Sequence, residues 1–165
     1  MVERDAKLIG VIADTHGLLR PEAVEALQKS DLIVHAGDIG NPRVLEGLQT
    51  IAPVVAVRGN IDEPWWADSL PKSEVIQVAQ TWLYVIHDLD DLDLDPVAAG
   101  FSAVISGHSH HPSIRVREGV LLLNPGSAGP RRFELPVSVA LIRVENGLLE
   151  PRLIELTIEK GVKRK

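Results

Sequence analysis

Three short apolar runs in the first part of the chain, Lys7 to Ala13, Asp31 to Ala36 and Pro53 to Arg58, alternate with two helix-forming segments. Pro21 to Lys29 carries proline in its first turn, where a missing N–H leaves no bond unmade. Asn41-Pro42 supplies a cap and a first position for a helix through about Leu48. Strands separated by helices pair in parallel, because a parallel neighbour needs a crossover of about a dozen residues or more. This rhythm predicts a largely parallel sheet with helical crossovers.

The pattern changes after residue 70. Glu74 to Val78 and Trp82 to Ile86 read as neighbouring strands, Asp95-Pro96 opens a short helix to about Gly100, and Ala103 to Ser106 is another strand. Ile114 to Arg117 and Val120 to Leu123 flank the turn pair Glu118-Gly119. Val137 to Val144 and Leu148 to Leu156 flank Asn146-Gly147, the strongest short hairpin signal. The C-terminal third is therefore expected to be antiparallel. Two packed sheets with helices outside accommodate both halves. The 165 residues fit one domain, with the basic end Lys160 to Lys165 expected to fray. Adjacent Trp65 and Trp66 cannot both face the core of a strand, so one of them is expected to be accessible, as a pocket wall or a subunit contact.

The absence of cysteine excludes disulfides, thiolate metal sites and a thiol nucleophile. Any transition metal must be held by imidazole, carboxylate or amide. A net charge of −6 argues against a dedicated nucleic-acid surface. No stretch has the roughly 18–20 apolar residues of a membrane helix. The charged start Met1-Val2-Glu3-Arg4-Asp5 lacks the apolar core of a signal peptide, so the chain is expected to be cytoplasmic.

The six histidines are not scattered. Asp14-Thr15-His16-Gly17 follows the first expected strand, His35-Ala36-Gly37-Asp38 the second, and Arg58-Gly59-Asn60-Ile61-Asp62 the third. His87-Asp88 ends another strand, and Gly107-His108-Ser109-His110 follows the next. Open α/β sheets place ligand sites at such strand ends. If extended geometry persists, Asp14 and His16 point to the same side and reach one metal. Taken singly, each cluster has an ordinary reading as a cap, a turn or a core histidine. Together, in order and each at a strand end, they form a coherent nitrogen and oxygen ligand set for Mn, Fe, Ni or Zn.

At these residues the sequence resembles the calcineurin-like metallophosphoesterases, and within them the small single-domain prokaryotic phosphodiesterase branch. The pattern Asp-x-His, Gly-Asp, Gly-Asn, a lone His and Gly-His-x-His reads here as Asp14 to His16, Gly37-Asp38, Gly59-Asn60, His87 and Gly107 to His110. The branch's Asn-Pro-Gly-Ser and Pro-Arg read as Asn124 to Ser127 and Pro130-Arg131. The resemblance implies an α/β fold, a four-layer αββα sandwich of two mixed β-sheets flanked by helices. It implies two divalent metal ions, manganese first, with nickel, iron or zinc as alternatives. Asp14, His16 and His110 would hold one, Asn60, His87 and His108 the other, and Asp38 would bridge them. Asn60 is a further candidate for a phosphate contact and Arg131 for a substrate contact. His35 is expected in the core or behind the ligands, and His111 as a bystander.

Two departures from the family pattern matter. Ile61 stands where the wider superfamily has a histidine that protonates the leaving group. Asp62 follows, but an exposed carboxylate is a poor acid at neutral pH. Asp88 replaces the usual glycine after His87, and Asp90, Asp91, Asp93 and Asp95 continue an acidic loop that ends in a helix cap and disfavours a polyanion. The expected activity is a phosphodiesterase in which a hydroxide bridging two metals attacks a small phosphodiester. A phosphomonoesterase or nuclease using the same site, or a non-catalytic protein-binding scaffold of the same fold, are the alternatives. The expected partner is a small phosphate ester, with room for a homodimer and no membrane.

Overall fold

Alternating apolar residues build the strands, and the computed structural model describes residues 2–4, 6–132 and 134–158. The first half contains β1 (Val2–Arg4), β2 (Leu8–Ile12), α1 (Pro21–Leu27), β3 (Leu32–His35), α2 (Pro42–Gln49), β4 (Val54–Ala56) and α3 (Pro64–Ala67). The second half contains β5 (Ser73–Val78), β6 (Thr81–Ile86), α4 (Pro96–Ala99), β7 (Ala103–Ile105), β8 (Ser113–Arg117), β9 (Val120–Asn124), β10 (Ser138–Glu145) and β11 (Leu148–Glu155).

These strands form two mixed sheets, one of six strands in the order β1-β5-β6-β7-β9-β8 and one of five in the order β11-β10-β2-β3-β4. Strand periodicity sorts side chains onto opposite faces. In β2, Ile9 and Val11 join a core shared by both sheets, with Leu83 and Val85 of β6 and Ile105 of β7. Ile12 and Ile33 face the other way, onto Ala23 and Leu27 of α1 and Val44 and Leu48 of α2. On the outer face of the six-stranded sheet, Tyr84, Ile86, Val104 and Val120 are covered by Leu89, Leu92, Leu94 and Phe101. That covering layer is thin, made of one 3-10 turn at Leu89–Asp91 and the four-residue α4. The architecture is the expected αββα sandwich.

Local signals account for most boundaries. Asn41 has extended backbone, and its side chain accepts from the Arg43 N–H at 2.9 Å, the cap anticipated for α2. Asn41→Ala should lower unfolding stability by about 1 kcal/mol, read as a shift in urea midpoint at unchanged slope. Asp95 likewise caps α4 through the N–H groups of Val97 and Ala98. Asn146 and Gly147 both take positive φ, 52° and 75°, so Glu145 pairs directly with Leu148 across a two-residue turn. Glu118 and Gly119 do the same between β8 and β9.

The antiparallel expectation for the C-terminal third holds only within these hairpins and for β10 against β2. β7 is parallel to β6 because the covering segment returns the chain in the direction of β6, and parallel to β9 because β8 runs back between them in the chain. Two short elements carry too little pattern to be foreseen: β1, which pairs in parallel with β5, and α3. The tryptophans sit on α3 rather than on a strand; Trp65 is 78% exposed while Trp66 packs against the helix-side core. The basic end from Lys160 onward lies outside the described residues.

Candidate metal centre

All five clusters lie just past strand ends: Asp14 and His16 after β2, Asp38 after β3, Asn60 after β4, His87 after β6, and His108 and His110 after β7. β2, β3 and β4 run parallel in one sheet, and β6 and β7 run parallel in the other. Their C-terminal ends converge. Asp14, His16 and His110 offer ligand atoms within 4.8 Å of one another, and so do Asp38, His87 and His108.

Asp14 is fully buried, and its Oδ2 accepts from the His108 N–H at 3.0 Å. Its Oδ1 faces His110 Nε2 at 3.5 Å and His16 Nε2 and His87 Nε2 at 4.0 Å each. Asp38 accepts the Ile61 N–H on Oδ1 at 3.1 Å. Its Oδ2 lies 3.3 Å from His87 Nε2 and 3.7 Å from His16 Nε2, so one oxygen faces a ligand of each group. Asn60 Oδ1 reaches 3.0 Å from His87 Nε2. His87 Nδ1 lies 2.7 Å from the Ala36 carbonyl and donates to it. That contact fixes the tautomer and leaves Nε2 free to bind a metal.

The donor set fits divalent ions on a further ground. Among the described residues, four buried side-chain polar atoms lack a hydrogen-bond partner, and three of them are Asp14 Oδ1, His16 Nε2 and His110 Nδ1. Buried polar atoms are rarely left this way without a ligand or an ion. Burial pushes the Asp14 carboxyl up to about 7, against the pull of His87. Burial also pushes Asp38 up, but the His87 contact and the Ile61 N–H outweigh it and hold Asp38 below its ordinary value. For His87 burial acts downward, and its contact with Asp38 wins and raises it. Burial, then the Arg132 charge, drive His110 down to about 4, and burial lowers His16.

The route by which Asp14 and His16 converge differs from extended geometry. Asp14 (φ 54°), His16 (47°), Asp38 (54°), His108 (72°) and His110 (62°) all occupy the left-handed region. Each such residue costs on the order of 1–3 kcal/mol, and such strain gathers at functional sites. Loop packing holds them there: the N–H groups of Asp14, His16 and Gly17 donate to the carbonyls of Gly37, Asp38 and Ile39. Gly59 is required by crowding, since a Cβ there would collide with Asp38 N and Oδ1. Gly37 has φ 98°, and a Cβ there would strike the His87 ring.

Several neighbours take roles other than those expected. Asp62 is not an exposed carboxylate. It is buried, with Oδ1 accepting from Gly40 N and Oδ2 from Gly59 N, each at 2.8 Å. It clips two ligand loops together. Arg131 Nε donates to the Leu135 carbonyl at 3.2 Å, and the residue lines a hollow with Pro136 and Val137. Its neighbour Arg132, passed over in the sequence, is the arginine whose charge reaches Asp14, His16 and His110. Asp88 caps the 3-10 turn through Asp90 N and lies 3.5 Å from His108 Nε2. Arg58 pairs with Asp68 at 3.7 Å, a contact outside the ligand set. Asn124 donates to the Gly107 carbonyl and Ser127 to the Asp14 carbonyl, so the Asn124 to Ser127 loop braces two ligand loops. His35 is fully buried behind them, and His111 is exposed with its N–H on Ser109 Oγ. A cavity of about 500 Å³ opens beside Asn60, His87 and His108, walled by Arg58, Lys72, Tyr84, Asp88, Asp91 and Asp93.

A probable metallophosphoesterase of Methanothermobacter thermautotrophicus is 38% identical over 159 residues, covering 89% of this chain and 91% of its own. A structure described as a novel archaeal phosphodiesterase is 20% identical with a TM-score of 0.73, covering 89% of this chain and 99% of that one. Vps29 of Entamoeba histolytica complexed with zinc is 22% identical with a TM-score of 0.70, covering 90% and 98%. Likenesses at these low identities speak for the fold. The model of the calcineurin-like phosphoesterase superfamily domain matches residues 8–147, which include every proposed ligand, and the chain belongs to that superfamily.

Proposed function

We propose that this metallophosphoesterase is a phosphodiesterase that holds two divalent ions, manganese foremost, and hydrolyses small phosphate diesters. The observation that carries the reading is Asp38 Oδ2, which faces His16 of one ligand group and His87 of the other. When bound, two divalent ions supply Lewis acidity and a nucleophile at neutral pH.

The chain's own residues set the remaining terms. Asp14, His16 and His110 would hold one ion, and Asn60, His87 and His108 the other. The cavity beside Asn60 and His87 takes an ester group, and in its wall the carboxylates of Asp88, Asp91 and Asp93 outnumber the cations Arg58 and Lys72, which disfavours a second phosphate. Neither residue at the family's acid position protonates a poor leaving group: Ile61 is apolar, and both Asp62 oxygens are engaged by backbone N–H groups. Diesters with good leaving groups are therefore preferred to alkyl monoesters.

With manganese-loaded enzyme, kcat/KM for bis(p-nitrophenyl) phosphate should exceed that for p-nitrophenyl phosphate by about tenfold or more, about 1.4 kcal/mol. A preference for the monoester removes the diesterase assignment and leaves the metal centre intact. Arg132 is the arginine assigned to substrate phosphate. Arg132→Ala should raise KM for the diester about tenfold with little change in kcat, the mark of lost uniform binding. Arg131→Ala should leave both within about twofold.

A further inference from the structure

Behind the two ligand loops lies a buried hydrogen-bonded bridge that includes none of the proposed ligands. His35 and Thr15 are both fully buried. His35 Nδ1 accepts the Gly37 N–H at 3.1 Å, and its Nε2 lies 3.0 Å from Thr15 Oγ1. Thr15 Oγ1 in turn donates to the Ile39 carbonyl at 2.8 Å. The directions are forced. The threonine proton goes to Ile39, so the hydroxyl accepts from His35 Nε2–H, and Nδ1 carries the lone pair that receives Gly37. Only a neutral imidazole in this one tautomer satisfies all three contacts. Burial drives His35 down to about 3, which keeps it neutral.

The positions joined by this bridge matter. Thr15 lies between Asp14 and His16, and Gly37 directly precedes Asp38. Asp14, His16 and Asp38 all have left-handed backbone, which the chain does not hold unaided. The backbone ladder between the loops fixes their spacing from one side, and the imidazole spans them from behind. We propose that His35 and Thr15 form a positioning bridge that sets the Asp14–His16 loop against Asp38 at the spacing the metal pair requires. The proposal rests on the two-metal reading. Its effect falls first on the ion held by Asp14, His16 and His110, because Thr15 belongs to that loop.

Thr15→Val keeps the shape and removes the hydroxyl, leaving His35 Nε2–H without a partner. Thr15→Ser keeps the hydroxyl. Manganese titration by calorimetry on chelator-stripped protein reads each binding step separately, without reference to turnover. Loss of a contact behind metal ligands typically weakens affinity about 10- to 100-fold. In Thr15→Val one of the two steps should weaken by that factor while the other changes little, and Thr15→Ser should restore it to within about threefold. His35→Leu should give the same selective loss, and the double variant should be no worse than His35→Leu alone. Val139→Ala, a cavity in the helix-side core, serves as a control matched for thermal destabilisation and should leave both steps unchanged. Wild-type affinity in Thr15→Val, or equal weakening in the Val139→Ala control, overturns the bridge. Failure of the unaltered protein to bind two ions would instead strike the metal reading beneath it.

Discussion

Asp38→Asn should abolish the metal centre as a unit, with diester turnover falling about 10³-fold or more, on the order of 4 kcal/mol. The reason is geometric. Asp38 Oδ2 lies 3.3 Å from His87 Nε2 and 3.7 Å from His16 Nε2, and so reaches across the two ligand groups more closely than Asp14 Oδ1, which is 4.0 Å from His87 Nε2. An amide in that place retains an oxygen but loses the charge that offsets two divalent ions. It also presents an NH₂ that cannot serve as a ligand. Oδ1 continues to accept the Ile61 N–H if the amide oxygen turns that way, so the loop is expected to stay folded. Elemental analysis after manganese loading should therefore find fewer than half the ions held by the unaltered protein, at nearly unchanged circular dichroism. Retention of both ions with wild-type turnover would remove Asp38 from the bridging position.

The second large effect is expected at a residue with no side chain. Gly59→Ala places a methyl against Asp38 N and Oδ1. The first of these is backbone, held by its loop, and cannot turn aside as a flexible side chain would. Overpacking of this kind costs about 1–3 kcal/mol, and here the displaced group is the bridging ligand. Asp62, which accepts the Gly59 N–H, would carry the disturbance to Gly40. Urea unfolding should show the loss of stability, and manganese titration should show at least tenfold weaker binding, about 1.4 kcal/mol. Gly119→Ala is the informative control. It strains a positive φ, 80°, which Gly59 does not have, but its added methyl meets nothing within 4 Å. It should cost stability alone. Equal metal affinity in the two variants would mean that close packing at Gly59 does not shape the site.

Most of the sandwich was legible in the chain because its signals are local. Asn41, Asp95 and the Asn146-Gly147 pair act through bonds and dihedrals within a few residues. The candidate ligands were legible for a similar reason, since their identities and order at strand ends survive without knowledge of the packing. What escaped depends on contacts between distant segments. The left-handed backbone of five ligand residues is imposed by loop-to-loop bonds such as His16 N to the Asp38 carbonyl. Asp62 looks like a surface carboxylate until Gly40, 22 positions away, supplies its second N–H. Arg131 and Arg132 are indistinguishable as neighbours in a sequence. What distinguishes them is tertiary: Arg131 Nε donates to the Leu135 carbonyl, while the Arg132 charge acts on Asp14, His16 and His110. The parallel pairing of β7 with β6 follows from the path of the covering segment, which no turn motif records.

The most direct test of the account is a count of metal ions. The protein should be stripped with chelator, titrated with manganese, and followed by calorimetry together with hydrolysis of bis(p-nitrophenyl) phosphate. The account predicts two ions per chain, turnover that is absent in the stripped protein, and turnover that returns as the sites fill. Turnover that survives complete removal of metal, or a chain that saturates with no ion at all, would contradict it.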